Sequence, residues 1–225
     1  MSSQVHLVDC TLREGDQTAG VAMTLDEKLQ IVEMLDSAGV SLADAGMPAL
    51  HPMEARFLRE AAKRCTSMTI GASVRCRPDM AKLAIDCGVG AVFVICPVSK
   101  PHLSARLDTT LGHLLESLEA VATVVRGHAS IEIVAEDATR ADEASLLALA
   151  ATAKHVGADR LYVADTVGVK SPAQWTQLVS KMMNEVGDHV ELGVHCHNDY
   201  GMATALTVAA IEAGIRWPTA TVNGL

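Results

Sequence analysis

The chain has 225 residues, enough for one large domain or two small ones with a substantial core. Apolar residues make up 49% of it and aromatics only 3%, which suits small helices packed on buried strands better than an aromatic-rich β-sandwich. A formal charge of -9 argues against nucleic acid as a partner, and no apolar run approaches the length that spans a bilayer, which argues against a membrane protein.

Met1-Ser2-Ser3-Gln4 leads almost directly into a first apolar run, Val5–Cys10, so no secretory leader is expected and the location is read as cytoplasmic. Thr24-Leu25-Asp26-Glu27 is a capping box, opening a helix whose stripe includes Leu25, Leu29, Val32 and Leu35 and which stops at Gly39. The second and third runs are Val40–Gly46 and Met68–Val74; Pro78 then stands where a first helical turn accepts proline. Gly88 ends that helix before the fourth run, Ala91–Cys96, and a fifth follows at Ser130–Ala135. Gly157 precedes the sixth, Arg160–Ala164, after which Ser171 caps a helix begun by Pro172. The seventh run is Val190–His195; Gly214 separates the next helix from an eighth, Thr219–Val222. The cysteines (Cys10, Cys65, Cys76, Cys87, Cys96 and Cys196) include no CxxC and read as free thiols in a reducing compartment.

Continuously apolar strands separated by helices imply parallel pairing with both faces covered. Strand–helix units of about 25–35 residues suit crossover connections. Eight of them favour a closed α/β TIM (β/α)8 barrel over an open doubly wound sheet, and no GxGxxG follows the first strand. With no linker in view, residues 1–225 are read as a single catalytic barrel domain. The chain ends at Val222-Asn223-Gly224-Leu225, where the eighth strand is expected to end. The eighth helix is therefore expected to be missing, and the barrel is read as truncated at its C-terminus or completed by a partner. Apolar surface would then show on the first and eighth strands.

Polar residues gather just after the strands, at the end of a barrel where active sites are built. Asp9, Arg13, Glu14 and Gln17 follow the first strand, Asp44 lies at the second, and Arg75 and Arg77 follow the third. Glu136, Asp137 and Arg140 follow the fifth, Asp165 and Thr166 the sixth, His195, His197, Asn198 and Asp199 the seventh, and Asn223 the eighth. Alternation along a strand turns His195 and His197 to one side, where both imidazoles can reach one ion. Glu14 is available as a third ligand, leaving positions open for substrate on Mg²⁺, Mn²⁺ or Zn²⁺. Arg13, beside Glu14, can hydrogen-bond a developing oxyanion on a 2-oxo acid chelated by that metal.

Asp9-Cys-Thr-Leu-Arg-Glu-Gly-Asp-Gln17 resembles the D-x-x-L-R-[DE]-G-x-Q opening of the DRE-TIM metallolyases. That superfamily includes homocitrate synthase, isopropylmalate synthase, hydroxymethylglutaryl-CoA lyase and certain aldolases. Gly46-Met-Pro48, Glu136-Asp-Ala-Thr-Arg140, Ala164-Asp-Thr-Val-Gly168, His195-Cys-His-Asn-Asp199 and Thr221-Val-Asn-Gly224 agree in the same order. The match runs nearly the whole length. Pro97-Val-Ser99, with the Thr-Val-Asn-Gly ending, makes the chain most similar to the nitrogen-fixation type of homocitrate synthase.

The resemblance implies metal ligation by Glu14, His195 and His197 and oxyanion stabilisation by Arg13. It puts Thr166 at the carboxylate of the 2-oxo acid, Glu136 close to the reacting centre, and Gln17 and Arg75 on the pocket wall. Asp9 is expected to brace the arginine and the metal ligands, with Asn198, Asp199 and Asn223 around them. The implied reaction is acyl transfer: acetyl-CoA, as cosubstrate, loses a methyl proton, the enolate attacks the keto carbon, and the thioester is hydrolysed. Cleavage by a lyase or aldolase on the same site, and a catalytically dead barrel serving as a binding module, are the alternatives.

Homocitrate synthases carry Glu where this chain has Asp44, several carry Glu where it has Gly193, and some place a substrate-binding His near Arg77. Asp44, Arg75 and Arg77 are therefore read as bordering the distal end of the substrate. The more cationic pocket leaves 2-oxoglutarate, phosphonopyruvate, oxaloacetate and a branched 2-oxo acid open. A homo-oligomer, most simply a dimer, is expected from the resemblance and the apolar edge. His6, His51, His102, His113, His128, His155 and His189 are read as structural or surface residues away from the rim, and Cys10 and Cys196 as packed.

Overall fold

The computed structural model describes residues 4–225. Eight strands, β1 (Val8–Asp9), β2 (Leu42–Asp44), β3 (Thr69–Arg75), β4 (Ala91–Pro97), β5 (Ser130–Glu136), β6 (Arg160–Asp165), β7 (Glu191–Cys196) and β8 (Trp217–Ala220), pair in parallel in chain order and close into a barrel. After the first seven come α1 (Leu25–Ser37), α2 (Pro52–Arg64), α3 (Pro78–Asp86), α4 (Leu111–Val125), α5 (Glu143–Val156), α6 (Pro172–Val186) and α7 (Ala203–Ala213). Closure is made by Val8 opposite Thr219 and Asp9 opposite Ala220. This is the TIM barrel that the alternation of apolar runs and helices predicts.

Local chemistry sets the helix ends. Thr24 and Glu27 form a reciprocal capping box on α1, and Ser171 with Gln174 does the same on α6, relieving N–H groups that a first turn leaves unpaired. Gly157 ends α5 at φ 68°, a left-handed conformation that costs a glycine little.

Two boundaries differ from expectation. The eighth strand begins earlier, at Trp217-Pro218, and Val222–Gly224 is a short 3₁₀ turn. A proline inside a strand removes a ladder donor, which is why the pattern points to the residues after it. The first strand is shorter than Val5–Cys10, although His6 N–H still bonds the Arg216 carbonyl at 2.8 Å and Cys10 N–H that of Ala220 at 2.8 Å.

The core has two parts. Between the strands and the helices pack Val32, Leu58, Leu118, Leu149 and Trp175, with Cys196 on that outer side. Inside the barrel, Val8, Leu42, Ala91, Phe93, Val134, Tyr162 and Ala164 form a separate plug, so the interior is filled rather than hollow. Phe93 and Tyr162 meet with ring centroids 5.7 Å apart. Gly193 makes room for them: a Cβ there would stand 2.4 Å from the Tyr162 ring and 2.8 Å from the Trp217 carbonyl. The six cysteines are free thiols, and among the described residues no helix is long and apolar enough to cross a membrane.

Because backbone as well as ring opposes that Cβ, Gly193→Ala is expected to cost about 1–3 kcal/mol of stability through overpacking. A urea midpoint equal to that of the wild type would show that the plug has slack which this geometry denies.

Candidate active site

The site starts with a tight turn after β1. Asp9 accepts hydrogen bonds from both the backbone N–H and the hydroxyl of Thr11, each at 2.9 Å. The Thr11 hydroxyl oxygen in turn accepts the Val222 N–H at 2.8 Å. Thr11–Gly15 then winds as a single π-type turn, with the Glu14 N–H on the Cys10 carbonyl, and turns Arg13 and Glu14 into the barrel mouth. Asp9 touches neither Arg13 nor the histidines; it holds the root of the turn. Burial outweighs the Thr11 bonds and pushes the Asp9 carboxyl up from its ordinary range.

At the end of β7, His195 and His197 face the same way, as alternation requires. Their Nε2 atoms lie 3.1 Å apart. Glu14 brings one oxygen to 3.9 Å from His195 Nε2 and the other to 3.7 Å from His197 Nε2, and the three donor atoms all lie within 4.8 Å of one another. Two nitrogens bound at right angles to one ion at metal-ligand bond lengths would be about 3.0 Å apart, so this donor set fits a divalent cation. His195 Nδ1 is 2.8 Å from the Thr219 hydroxyl, which leaves Nε2 as the ligating nitrogen. Burial, with Arg13 and the second ring close by, pushes the His195 imidazole well below its ordinary range; burial also lowers His197. Both are thereby favoured in the neutral form that coordinates metal.

Arg13 is held from two sides, through Nε to Asp44 at 2.7 Å and through Nη1 to Glu14. Asp44 also accepts the Ser73 hydroxyl at 2.7 Å and is only 1% exposed. This corrects the reading of Asp44 as a substrate contact: it is off the cavity wall and orients the arginine. Burial works against the Arg13 charge, but Asp44, together with Cys10 and Glu136, more than offsets it and keeps the guanidinium's pKa raised.

A cavity of about 710 Å³ opens above the inner plug, its wall including Arg13, Glu14, Gln17, Arg75, Arg77, Glu136, Thr166, His195 and His197. Thr166 accepts the Asp137 N–H at 2.9 Å, so its own hydroxyl proton remains available to a ligand. The Gln17 amide lies 3.5 Å from the Met47 sulfur. Glu136 is gripped by both terminal nitrogens of Arg106, at 2.8 and 2.5 Å. Arg77 is paired with Asp79 near the solvent, whereas the exposed Arg75 guanidinium has neither hydrogen bond nor ion pair among the described residues. Asn198, Asp199 and Asn223 do not line the cavity. Asn198 accepts the Ala203 N–H at the start of α7, Asp199 packs against Gly168, and Asn223 lies in the last turn at φ 56°.

Two histidines read as remote stand on the rim. His102, in a turn spanning His102–Arg106, puts Nδ1 3.6 Å from Glu136 and Nε2 3.8 Å from Asp137, and His113 lines the cavity. Arg106, which the sequence pattern does not single out, joins them through Glu136. The available signal was position: all three follow β4 and therefore belong to the same end of the barrel as the other loops.

A family model described as HMGL-like matches residues 4–225. The chain is 36% identical to a 2-isopropylmalate synthase of Caldanaerobacter subterraneus, over 98% of this chain and 57% of that one. It is 37% identical to an (R)-citramalate synthase of Methanocaldococcus jannaschii over 98% and 45%, and 36% identical to a homocitrate synthase of Methanopyrus kandleri over 100% and 56%. The chain thus spans about half the length of the curated relatives it matches. A solved hydroxymethylglutaryl-CoA lyase from Pseudomonas aeruginosa superposes with a TM-score of 0.85 at 22% identity, covering 100% of this chain and 78% of that one. The carboxyl transferase domain of Rhizobium etli pyruvate carboxylase does so with 0.77 at 17%, covering 98% and 40%. Both are likenesses of fold.

Removing one partner of a buried ion pair strands the other, at a cost of about 3–5 kcal/mol. Asp44→Ala should therefore destabilise the protein far more than Ser73→Ala, for which about 1 kcal/mol is expected. Equal denaturation midpoints for the two variants would contradict the role given to Asp44.

Proposed function

The chain belongs to the HMGL-like family, and from that premise we propose that its barrel catalyses the condensation of acetyl-CoA with a 2-oxo acid at a divalent-metal site. The observation that carries the reading is the convergence of Glu14, His195 and His197, with Arg13 alongside. The names of the relatives support it, since they are 2-isopropylmalate, citramalate and homocitrate synthases at 36–37% identity.

Glu14, His195 and His197 would hold the ion. When bound, it supplies a Lewis acid for a keto oxygen. Arg13, with Nε committed to Asp44 and Nη1 to Glu14, keeps further N–H donors for the oxyanion that forms on the keto oxygen. Thr166 offers its hydroxyl to the substrate carboxylate, and Gln17 an amide. Glu136, on the same wall, has a carboxylate suited to proton transfer near the reacting carbon.

The distal group of the 2-oxo acid is read by Arg75. The other arginines on the cavity wall are paired, Arg13 with Asp44, Arg77 with Asp79 and Arg106 with Glu136. A guanidinium left unpaired by the described residues suits a second carboxylate or a phosphonate, and an alkyl branch would desolvate it without return. The substrate is therefore a 2-oxo acid with an anionic tail, of the 2-oxoglutarate, oxaloacetate or phosphonopyruvate kind.

Thiol release from acetyl-CoA, followed with a panel of 2-oxo acids and Mg²⁺, Mn²⁺ or Zn²⁺, tests both parts. Turnover is expected with a dianionic 2-oxo acid and its loss with a chelator. Arg75→Met should raise KM for that substrate by about 10-fold or more, the weight of a charged hydrogen bond. Thiol release only with branched substrates would overturn the anionic tail, and none with any 2-oxo acid would overturn the condensation itself. Calorimetric titration with Mn²⁺ gives a reading independent of turnover: Glu14→Gln should weaken uptake, and equal uptake by variant and wild type would remove Glu14 from the site.

A further inference from the structure

Lys28 lies on α1 and is only 4% exposed, an unusual place for an ammonium. Its Nζ meets Asp16 at 2.7 Å and Glu54 at 2.6 Å and lies 5.2 Å from the centre of the Phe57 ring. Burial works against the charge, yet the two carboxylates more than offset it and hold the lysine above its ordinary range.

The partners give this buried cation its meaning. Asp16 belongs to neither a helix nor a strand; it sits two residues beyond Glu14, beside Gln17. Beyond it, residues 17–20 are all exposed; Asp16 ties this end of the turn to the body of the protein by an ion pair, beside the longer 3.5 Å contact of the Gln17 amide with Met47. The other end of the turn is tied by Asp9 to Thr11. Glu54, on α2, extends the same network toward the cavity. Its second oxygen lies where a Cβ on Gly46 would approach to 2.7 Å, and Met47, the next residue, receives the Gln17 amide. Lys28 therefore joins the turn carrying Glu14 to α1, α2 and the loop after β2.

We propose that Lys28 is a positioning residue that locks the 11–17 turn in place and so presents the Glu14 carboxylate to His195 and His197. The metal part of this statement rests on the reading of those three side chains as a cation site; the lock itself does not. Without the ion pair, the turn would keep its anchors at Thr11, Leu12 and Arg13 but lose the charged one beyond Glu14, and the Glu14 carboxylate would sample positions away from the imidazoles. Loss of such a support behind a ligand weakens metal binding by about 10–100-fold.

Two variants test it, Lys28→Met and Asp16→Asn. The second removes only the link to the turn, at a partly exposed carboxylate, and carries the test alone should the first fail to fold. Hydrogen exchange without metal should show faster exchange across residues 11–17, with the strands unchanged. Mn²⁺ titration followed by electron paramagnetic resonance should show affinity weakened about 10-fold or more and a broader distribution of ion environments. Unchanged exchange in the turn overturns the lock whatever the metal does. A loosened turn that binds Mn²⁺ as tightly as wild type overturns the claim that the lock serves Glu14. Wild type that takes up no Mn²⁺ removes the cation site, while faster exchange in Asp16→Asn still upholds the lock.

Discussion

Everything at the mouth of this barrel depends on the parallel pairing of β8 with β1. With Val8 opposite Thr219 and Asp9 opposite Ala220, the first and last strands become neighbours, and the turn after β1 comes to lie next to the end of β7. Closure also sets a second contact. It lets the Val222 N–H reach the Thr11 hydroxyl, while the pairing of β7 with β8 sets Thr219 beside His195 Nδ1. An open sheet with the same strands would separate Glu14 from the two imidazoles by its full width, because β1 and β7 would no longer be linked through β8.

Given that closure, the site is built by groups that hold other groups. Asp9 secures Thr11, Asp44 and Ser73 orient Arg13, and Lys28 secures Asp16. On the far side, Asp137 takes a left-handed φ of 61° and gathers Ser99 and Arg140, while its N–H fixes Thr166. Asp165 accepts the Thr139 hydroxyl and the N–H groups of Val169 and Lys170. Asp9, Asp137 and Asp165 are buried and spend their lone pairs on the loops, while Asp44 commits one oxygen to Arg13 and Ser73. Fixed donors and dipoles of this kind need not reorganise when charge develops on a bound molecule. The cavity wall then carries Glu14, Glu136, Arg75 and the two imidazoles toward the space itself.

Below them, the plug of Phe93 and Tyr162 limits how deep a ligand can go. Gly71 and Gly193 admit the two rings, since a Cβ at either would run into one of them. The same inward positions that carry apolar volume low in the barrel carry His195, Glu136 and Thr166 at the top. Packing and chemistry are thus consecutive layers of one alternating pattern.

Much of this could be read from the amino-acid order, because it is local. Apolar runs, capping boxes and glycine stops depend on neighbours within a turn or a strand, and they marked the alternating strands and helices. Position after a strand pointed to Arg13, Glu14, Thr166, His195 and His197, all of which line the cavity. What composition and spacing could not carry were partnerships across the barrel. Asp44 reads from sequence as a pocket residue and His102 as a remote one, and only the fold bonds Asp44 to Arg13 and sets His102, with Arg106, beside Glu136. The eighth strand was misplaced because Pro218 breaks a local rule that closure overrides. Sequence alone therefore determined which elements form and which residues gather at one end, since those follow from short-range periodicity. Only the tertiary structure decided which charge meets which, since ion pairs join residues distant in the chain and depend on strand register and barrel closure.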